Sequence, residues 1–501
     1  MNRVASASAF TASRLWRWAF VALILVYSAL LLFQSGHGLA SLDGHGAIRT
    51  TRALIDRHHV EVSRPPGHPT TEYYLSGICA FILRSALGRE FGEQEYLWLQ
   101  ALAGVATLLV FYRILCRIAD PWKVFVASIA LALSPQFFAN AVDGEEFVWA
   151  LLFLLLSLQF LIFPGAQQPS LKNLFGSAFC FALATGCRPE AIFAAAMFPI
   201  YFRLHPELRF RDAFRFAILL CFLIVVVWAP VLFIGLQPPW TAGMNLRESL
   251  LGGAYRLLFQ CFNPVVFAVF CWILIRAATE QGSVNRESFP ERFVFLSSFV
   301  LPLIFGAALF LHASKAAHAL FVVPFLLVLA LRKPILLTAV TAATVLGFFV
   351  TVDIFKDRQL VRPYLVPGAY AQAVEAKPYY RIGYLRSLLD RFEPGPTLIV
   401  ANAWSWDFDY HVARGTLAAR KEHRAGPESR DLSIFRPQQR QGCVLVPRDS
   451  MFETSFLQSF ATSGYLLKMD RLLYRTVYSR YDLNAQTPDE VTIGELKFRL
   501  F

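Results

Sequence analysis

Residues 216–234 read FAILLCFLIVVVWAPVLFI and contain no charged side chain. An apolar stretch of roughly 17–25 residues is long enough to cross a bilayer as an α-helix. Similar stretches recur up to residue 352, and the whole chain is 56% hydrophobic and only 16% charged. A soluble protein carries about 25% charged residues. Because lipid offers the backbone no hydrogen-bond partners, the pattern predicts an α-helical polytopic membrane protein.

The apolar runs predict about eleven crossings of the membrane. The predicted spans are 18–35, 96–116, 123–140, 147–163, 172–187, 190–203, 214–234, 259–276, 293–311, 318–331 and 335–352. The net charge of +12 comes mostly from lysines and arginines that flank these spans. Such flanking cations set topology, so the charge does not indicate nucleic-acid binding. With a cytoplasmic N-terminus, nearly every cationic cluster falls in a cytoplasmic loop.

This topology predicts a membrane domain, residues 1–352, and a soluble domain, residues 353–501, on the outer face of the membrane. Four shorter polar segments also fall on that face. They are residues 36–95, 141–146, 235–258 and 312–318. In the first of them, residues 46–58 predict an amphipathic helix on the bilayer surface, and residues 69–88 predict a juxtamembrane or re-entrant helix.

The first outer segment carries an acid and a rigid cationic turn. Asp43 stands near the start of the predicted helix, where it is either an N-cap or a carboxylate available for chemistry. Residues 64–69 read RPPGHP, and prolines at this density fix a turn. Arg64 and His68 are therefore candidates for a cationic group held towards a phosphate.

The second outer segment, with Asn140 before it, reads NAVDGEE and supplies further acids. Asp143 and Glu145 are either the solvated start of the next helix or carboxylates that meet Asp43 across space.

A third element, Arg188-Pro189-Glu190, lies between two short apolar runs that are predicted to form a broken pair of helices. A charge at membrane depth is costly unless it is paired or functional. Mutual pairing of Arg188 with Glu190 is the simpler interpretation, and phosphate binding by Arg188 is the functional one.

The fourth element, HASKAAH at residues 312–318, places cations three residues apart. His312, Lys315 and His318 then share one helical face, where they form either a phosphate clamp or a set of interfacial side chains that snorkel to the membrane surface. The cysteines do not have the spacing of a metal site. A divalent metal between the acids is left open, since no histidine–acid spacing requires one.

In this order over residues 14–352, these elements resemble the GT-C superfamily of membrane glycosyltransferases, of the protein O-mannosyltransferase and aminoarabinose transferase type. The matching features are Asp43, the Pro65–Pro69 turn, Asp143 or Glu145, the junction 188–190, and Lys315 to His318 before Pro324. The resemblance implies inverting transfer of a sugar from a polyprenyl-phosphate donor to a lipid, glycan or protein acceptor. It also implies a multi-pass membrane protein, and we expect the membrane to be the bacterial inner membrane.

The resemblance also suggests a role for each candidate. Asp43 is expected to act as the base, with Asp143 and Glu145 orienting the acceptor or sharing that role. The donor phosphate is expected to be bound by Arg64, His68, Arg188, Lys315 and His318.

Residues 353–501 predict a small α/β or α+β domain. Residues 397–401 and 443–446 are expected to be strands, and residues 380–392 a helix. The aromatic cluster 404–409 is interpreted as packing rather than sugar binding.

The alternatives to an enzyme are a secondary transporter and a non-catalytic membrane component of envelope glycan assembly. Acids grouped at outer loop mouths favour the enzyme over the transporter.

Overall fold

The computed structural model describes most of the first part of the chain and the strands of the second. The described residues are 2–35, 42–58, 71–89, 91–143, 146–162, 171–204, 210–234, 262–279, 316–357, 360–370, 397–400, 423–426, 443–446, 475–479, 489–493 and 496–500. The chain divides into two compact units, Met1–Glu375 and Ala376–Phe501.

The first unit is a helical assembly. Its α-helices are α1 Asn2–Ser35, α2 Leu42–Arg57, α3 Thr71–Leu87, α4 Glu93–Leu115, α5 Pro121–Ala132, α6 Pro135–Asp143, α7 Phe147–Ile162, α8 Leu171–Cys187, α9 Met197–Leu204, α10 Phe210–Ile234, α11 Pro264–Thr279, α12 Val322–Ala330 and α13 Pro334–Phe349. Two 3-10 helices, Pro189–Ala196 and Ala316–Phe321, precede α9 and α12.

Within the described residues, the segments Arg14–Ser35, Glu93–Leu115 and Phe210–Pro230 are long and apolar enough to cross a membrane. This confirms the prediction of an integral membrane protein, while the predicted count of about eleven crossings stays a prediction. The predicted span 123–140 is not one continuous helix, because α5 and α6 meet at a bend of 58°. Pro135 explains the bend, since proline disfavours helical backbone at the residue before it.

The helices bury a common core. α7 packs against α4 and α8, and α8 packs against α10. Every residue of α12 is buried, so this helix is surrounded by protein. Between α7 and α8 the hydroxyls of Ser157 and Ser177 lie 3.0 Å apart and share a hydrogen bond.

α8 meets α3 and α10 at Gly186. A Cβ on this glycine would overlap the Thr71 hydroxyl of α3 and a Val227 methyl of α10. The absence of a side chain therefore allows the three helices to approach. The contact also brings the start of α3, directly after the proline-rich turn, next to the end of α8.

The predicted surface helix at 46–58 is observed as α2, but it is docked on protein. Ala47, Ile48 and Ala53 are buried, and α2 packs against α3. On the exposed side, Arg84 Nη1 of α3 donates to Asp56 Oδ1 of α2 at 2.7 Å. The predicted placement of those three apolar side chains on the bilayer surface is therefore wrong.

A β-hairpin follows α13. Its strands, β1 Val350–Asp357 and β2 Leu360–Pro367, are antiparallel. The Gly368 amide then donates to the Phe349 carbonyl at 2.8 Å, and Ala369 is buried in the helical core. The hairpin therefore belongs to the first unit, although the predicted soluble domain begins at residue 353.

The described strands of the second unit form one mixed sheet. They are β3 Thr397–Val400, β4 His423–Gly426, β5 Cys443–Val446, β6 Arg475–Ser479, β7 Asp489–Ile493 and β8 Leu496–Leu500. The strand order is β4-β3-β5-β6-β8-β7. The predicted strands at 397–401 and 443–446 are present. The predicted helix 380–392 and the aromatic cluster 404–409 lie outside the described residues, so the α/β class of this unit stays a prediction.

Candidate functional site

The junction after α8 is shaped by a proline. Arg188 is extended, with φ −142° and ψ 119°, and Pro189 begins the first 3-10 helix. Extended backbone is what the residue before proline prefers. The predicted break between two short helices is therefore confirmed at this point. The Arg188 side chain is buried, at 3% exposure.

Arg188 pairs with an acid from a different segment. Its Nη2 lies 2.9 Å from Oε1 of Glu146, whose side chain is 6% exposed. Glu146 immediately precedes α7, so the ion pair joins the end of α8 to the start of α7. The sequence suggests that Arg188 pairs with Glu190, and the structure shows a pairing of Arg188 with a different segment, through Glu146. The sequence signal for Glu146 is an acid directly before an uninterrupted apolar helix.

Glu190 has its own partner. Its Oε1 lies 2.5 Å from Nδ1 of His318, which belongs to the second 3-10 helix. Both side chains are buried. This second pair connects the junction after α8 to the segment that leads into α12.

One aromatic ring connects the two pairs. The Arg188 Cζ lies 3.6 Å from the centroid of the Phe147 ring, a cation–π contact. On the same ring, His318 packs edge-on, with centroids 5.0 Å apart and planes at 80°. Glu146, Phe147, Arg188, Glu190 and His318 therefore form one unit, which we call the buried ionic cluster.

The charges of the cluster balance when His318 is an imidazolium. Glu146 and Glu190 supply two negative charges, and Arg188 supplies a permanent positive one. Burial of an unpaired charge is strongly unfavourable, so each member depends on its partner.

The structure brings together three of the four predicted elements. Glu146 ends the second outer segment, Arg188 and Glu190 form the third element, and His318 ends the fourth. Thr71, which follows His68 by three residues in sequence, contacts α8 at Gly186.

The other predicted site residues have no described side chains. Asp43 is the second residue of α2, and Asp143 is the last residue of α6. Arg64, His68, Glu145 and Lys315 lie outside the described residues. Their expected roles stay predictions.

No metal site is evident in the part of the chain that the structure describes. There, no three side chains from histidine, cysteine, aspartate and glutamate converge to hold an ion. The question of a divalent metal, left open by the sequence, stays open.

The sequence contains a recognisable family segment. Residues 78–234 match the family model of dolichyl-phosphate-mannose-protein mannosyltransferases. This segment includes four of the five members of the buried ionic cluster, and His318 lies beyond it. Among curated proteins, none matches this chain.

The fold resembles that of a protein of known structure. The crystal structure of ArnT from Cupriavidus metallidurans, bound to undecaprenyl phosphate, matches with a TM-score of 0.53 and 10% identity. The match covers 89% of this chain and 95% of that one. A more distant likeness, with a TM-score of 0.45 and 12% identity, is to the oligosaccharyltransferase AglB from Archaeoglobus fulgidus. It covers 78% of this chain and 64% of AglB.

The family match and the ArnT-like fold together confirm the resemblance that the sequence predicts, which is to the GT-C superfamily of membrane glycosyltransferases.

Proposed function

We propose that the protein transfers a sugar from a polyprenyl-phosphate donor to an acceptor on the outer face of the membrane. The observation that supports this most is the mannosyltransferase family match over residues 78–234, which covers the junction at Arg188 and the acids before α7. ArnT, whose fold is similar, was crystallised with undecaprenyl phosphate. In this proposal the acceptor is a lipid, a glycan or a protein.

The chemistry is a single inverting displacement at the anomeric carbon. The acceptor hydroxyl attacks this carbon, the bond to the donor phosphate breaks, and the polyprenyl phosphate leaves with the bonding electron pair. Asp43 takes the proton of the hydroxyl as general base. Asp143 and Glu145 orient the acceptor. The base and the leaving phosphate must lie on opposite faces of the sugar.

The leaving phosphate needs charge stabilisation more than protonation. Arg64, His68 and Lys315 are the proposed cations, because they come from the proline-rich turn and the fourth outer segment. Arg188 and His318 were predicted for the same role. The side chains of Arg188 and His318 are both buried, and each contacts a carboxylate.

The orientation of the protein belongs to the same proposal. The N-terminus is cytoplasmic, the outer segments and the second unit are extracytoplasmic, and the membrane is the bacterial inner membrane. The distribution of lysine and arginine in the loops supports this orientation.

The test is sugar transfer by the purified protein in lipid vesicles that contain a polyprenyl-phosphate sugar. We expect Asp43→Asn to lower transfer by about 10²–10⁴-fold, the usual contribution of a general base. Asp56→Asn is the matched control, because Asp56 lies in the same helix but forms an exposed ion pair with Arg84. Wild-type protein that moves no sugar from any such donor, or an Asp43→Asn variant with full activity, would contradict the proposal.

A further inference from the structure

The buried ionic cluster connects three segments that are far apart in sequence. Glu146 and Phe147 stand at the start of α7, Arg188 and Glu190 follow α8, and His318 lies in the 3-10 helix before α12. Two ion pairs and one shared aromatic ring hold them together. Each of these interactions is between segments rather than within one.

The geometry of the cluster restricts orientation as well as distance. A guanidinium group is planar, and here it stacks on Phe147 while it meets the Glu146 carboxylate. An apolar set of similar volume would fill the same space, often with equal or greater stability. Stability alone therefore does not require two buried ion pairs at this place; what the pairs provide is a directional contact between the three segments.

The members of the cluster are close in sequence to the proposed reacting groups. Glu146 directly follows Glu145 and stands three residues after Asp143, and His318 stands three residues after Lys315. A shift of either ion pair would move the backbone that carries these groups. Misplacement by about 1 Å is enough to cost a factor of 10² in rate.

We propose that the buried ionic cluster is a positioning device, which holds the acids before α7 and the cation before α12 in register for sugar transfer. Arg188 and His318 then act through Glu146 and Glu190 and are not ligands of the donor phosphate. The proposal rests on the proposed glycosyltransferase function.

Two conservative variants test it. Arg188→Lys keeps the charge but loses the planar stacking, and Phe147→Leu keeps an apolar side chain but loses the ring face. We expect both to fold, with kcat about tenfold to a hundredfold lower and KM for the polyprenyl-phosphate sugar within about threefold of wild type. A residue that binds the donor phosphate equally in the ground state and in the transition state would instead show its loss as a higher KM with unchanged kcat.

A double variant that removes both charges of one ion pair distinguishes a positioning role of the cluster from a role in stability. Glu146→Gln combined with Arg188→Gln leaves no unpaired charge, so its melting temperature should recover relative to either single variant. We expect kcat not to recover with it. The matched control is Arg89→Lys, because Arg89 also contacts a carboxylate, Glu95 at 3.9 Å, and an aromatic ring, Trp98 at 5.8 Å, but is largely exposed. It should retain wild-type kcat.

Each outcome has a distinct meaning. A kcat that follows the melting temperature through all the variants would show a merely structural cluster and overturn the proposal. A rise in KM with unchanged kcat for Arg188→Lys would overturn it in favour of phosphate binding. If the wild type transfers no sugar, the proposed function fails, and the positioning role fails with it. Active wild type with unaffected Arg188→Lys and Phe147→Leu refutes the positioning role alone.

Discussion

Gly186 of α8 and Thr71 of α3 approach so closely that a methyl group on Gly186 would overlap the Thr71 hydroxyl. The same methyl group would also overlap Val227 of α10, so two neighbours would have to move. Arg188 follows two residues later in sequence, and the start of α3 follows the proline-rich turn. The packing of this glycine therefore sets how closely the start of α3 approaches the end of α8.

Gly186→Ala should destabilise the protein by about 1–3 kcal/mol, the usual cost of overpacking. The measurement is thermal unfolding of the detergent-purified protein. Gly77→Ala is the matched control, because a Cβ there would meet only the end of the Leu54 side chain, at 3.0 Å. That flexible end can move, so the control should lose less stability. Equal melting temperatures for the two variants would contradict the close packing at Gly186.

The serine pair between α7 and α8 allows a double-mutant cycle. Ser157→Ala and Ser177→Ala each remove one side of a buried hydrogen bond. We expect a coupling free energy of about 0.6 kcal/mol, typical of hydrogen bonds between membrane helices, and up to about 1.7 kcal/mol. The free energy of unfolding of the wild type, both single variants and the double variant gives this coupling. Fully additive effects would show that the two hydroxyls do not interact.

Lys315→Gln should weaken the use of the donor. A hydrogen bond to a charged group contributes about 1.5–3 kcal/mol, which corresponds to roughly tenfold to a hundredfold in affinity. We therefore expect kcat/KM for the polyprenyl-phosphate sugar to fall by this factor. Steady-state kinetics at varied donor concentration measure it, with Arg89→Gln as an exposed-cation control. An unchanged kcat/KM would remove Lys315 from the proposed phosphate site.

The thiol of Cys116 is a probe of topology. Cys116 directly follows α4, and its side chain is exposed. A maleimide can therefore reach the thiol without unfolding of the protein.

The experiment uses a variant whose other cysteines are replaced by alanine, and a maleimide that does not cross membranes. Labelling is expected in inside-out vesicles and not in intact cells, since the predicted topology places residue 116 in the cytoplasm. Labelling in intact cells would invert that part of the topology.

Much of the fold was predictable because its signals are local. Continuous apolar runs predicted helices in the three described segments that are long and apolar enough to cross a membrane. The proline after Arg188 identified the break that ends α8. The bend between α5 and α6 also has a local signal in Ser134-Pro135, but the apolar run on both sides of it suggested a single span. The docking of α2 had no local signal, because its apolar face fits a bilayer surface and α3 equally well.

The site was predictable as a set of segments but not as a set of contacts. Acids and cations at the ends of apolar runs indicated the second, third and fourth elements, because charge is costly at that depth. The pairings between segments, of Arg188 with Glu146 and of Glu190 with His318, depend on how α7, α8 and α12 pack. Phe147 reads in sequence as one more apolar residue at the start of a helix, so its contact with Arg188 carried no signal.

The burial of α12 has a consequence for how the protein is made. This helix is enclosed by protein, and it packs against α5 as well as α11 and α13. During synthesis α5 emerges long before α12, so the helices made early must leave a place for a helix that arrives late. The imidazole of His318 comes with it, and until then Glu190 lacks that partner. A chain whose synthesis stops before His318 already contains most of the helices described here. Its Glu190 has not yet met the histidine that completes the second ion pair.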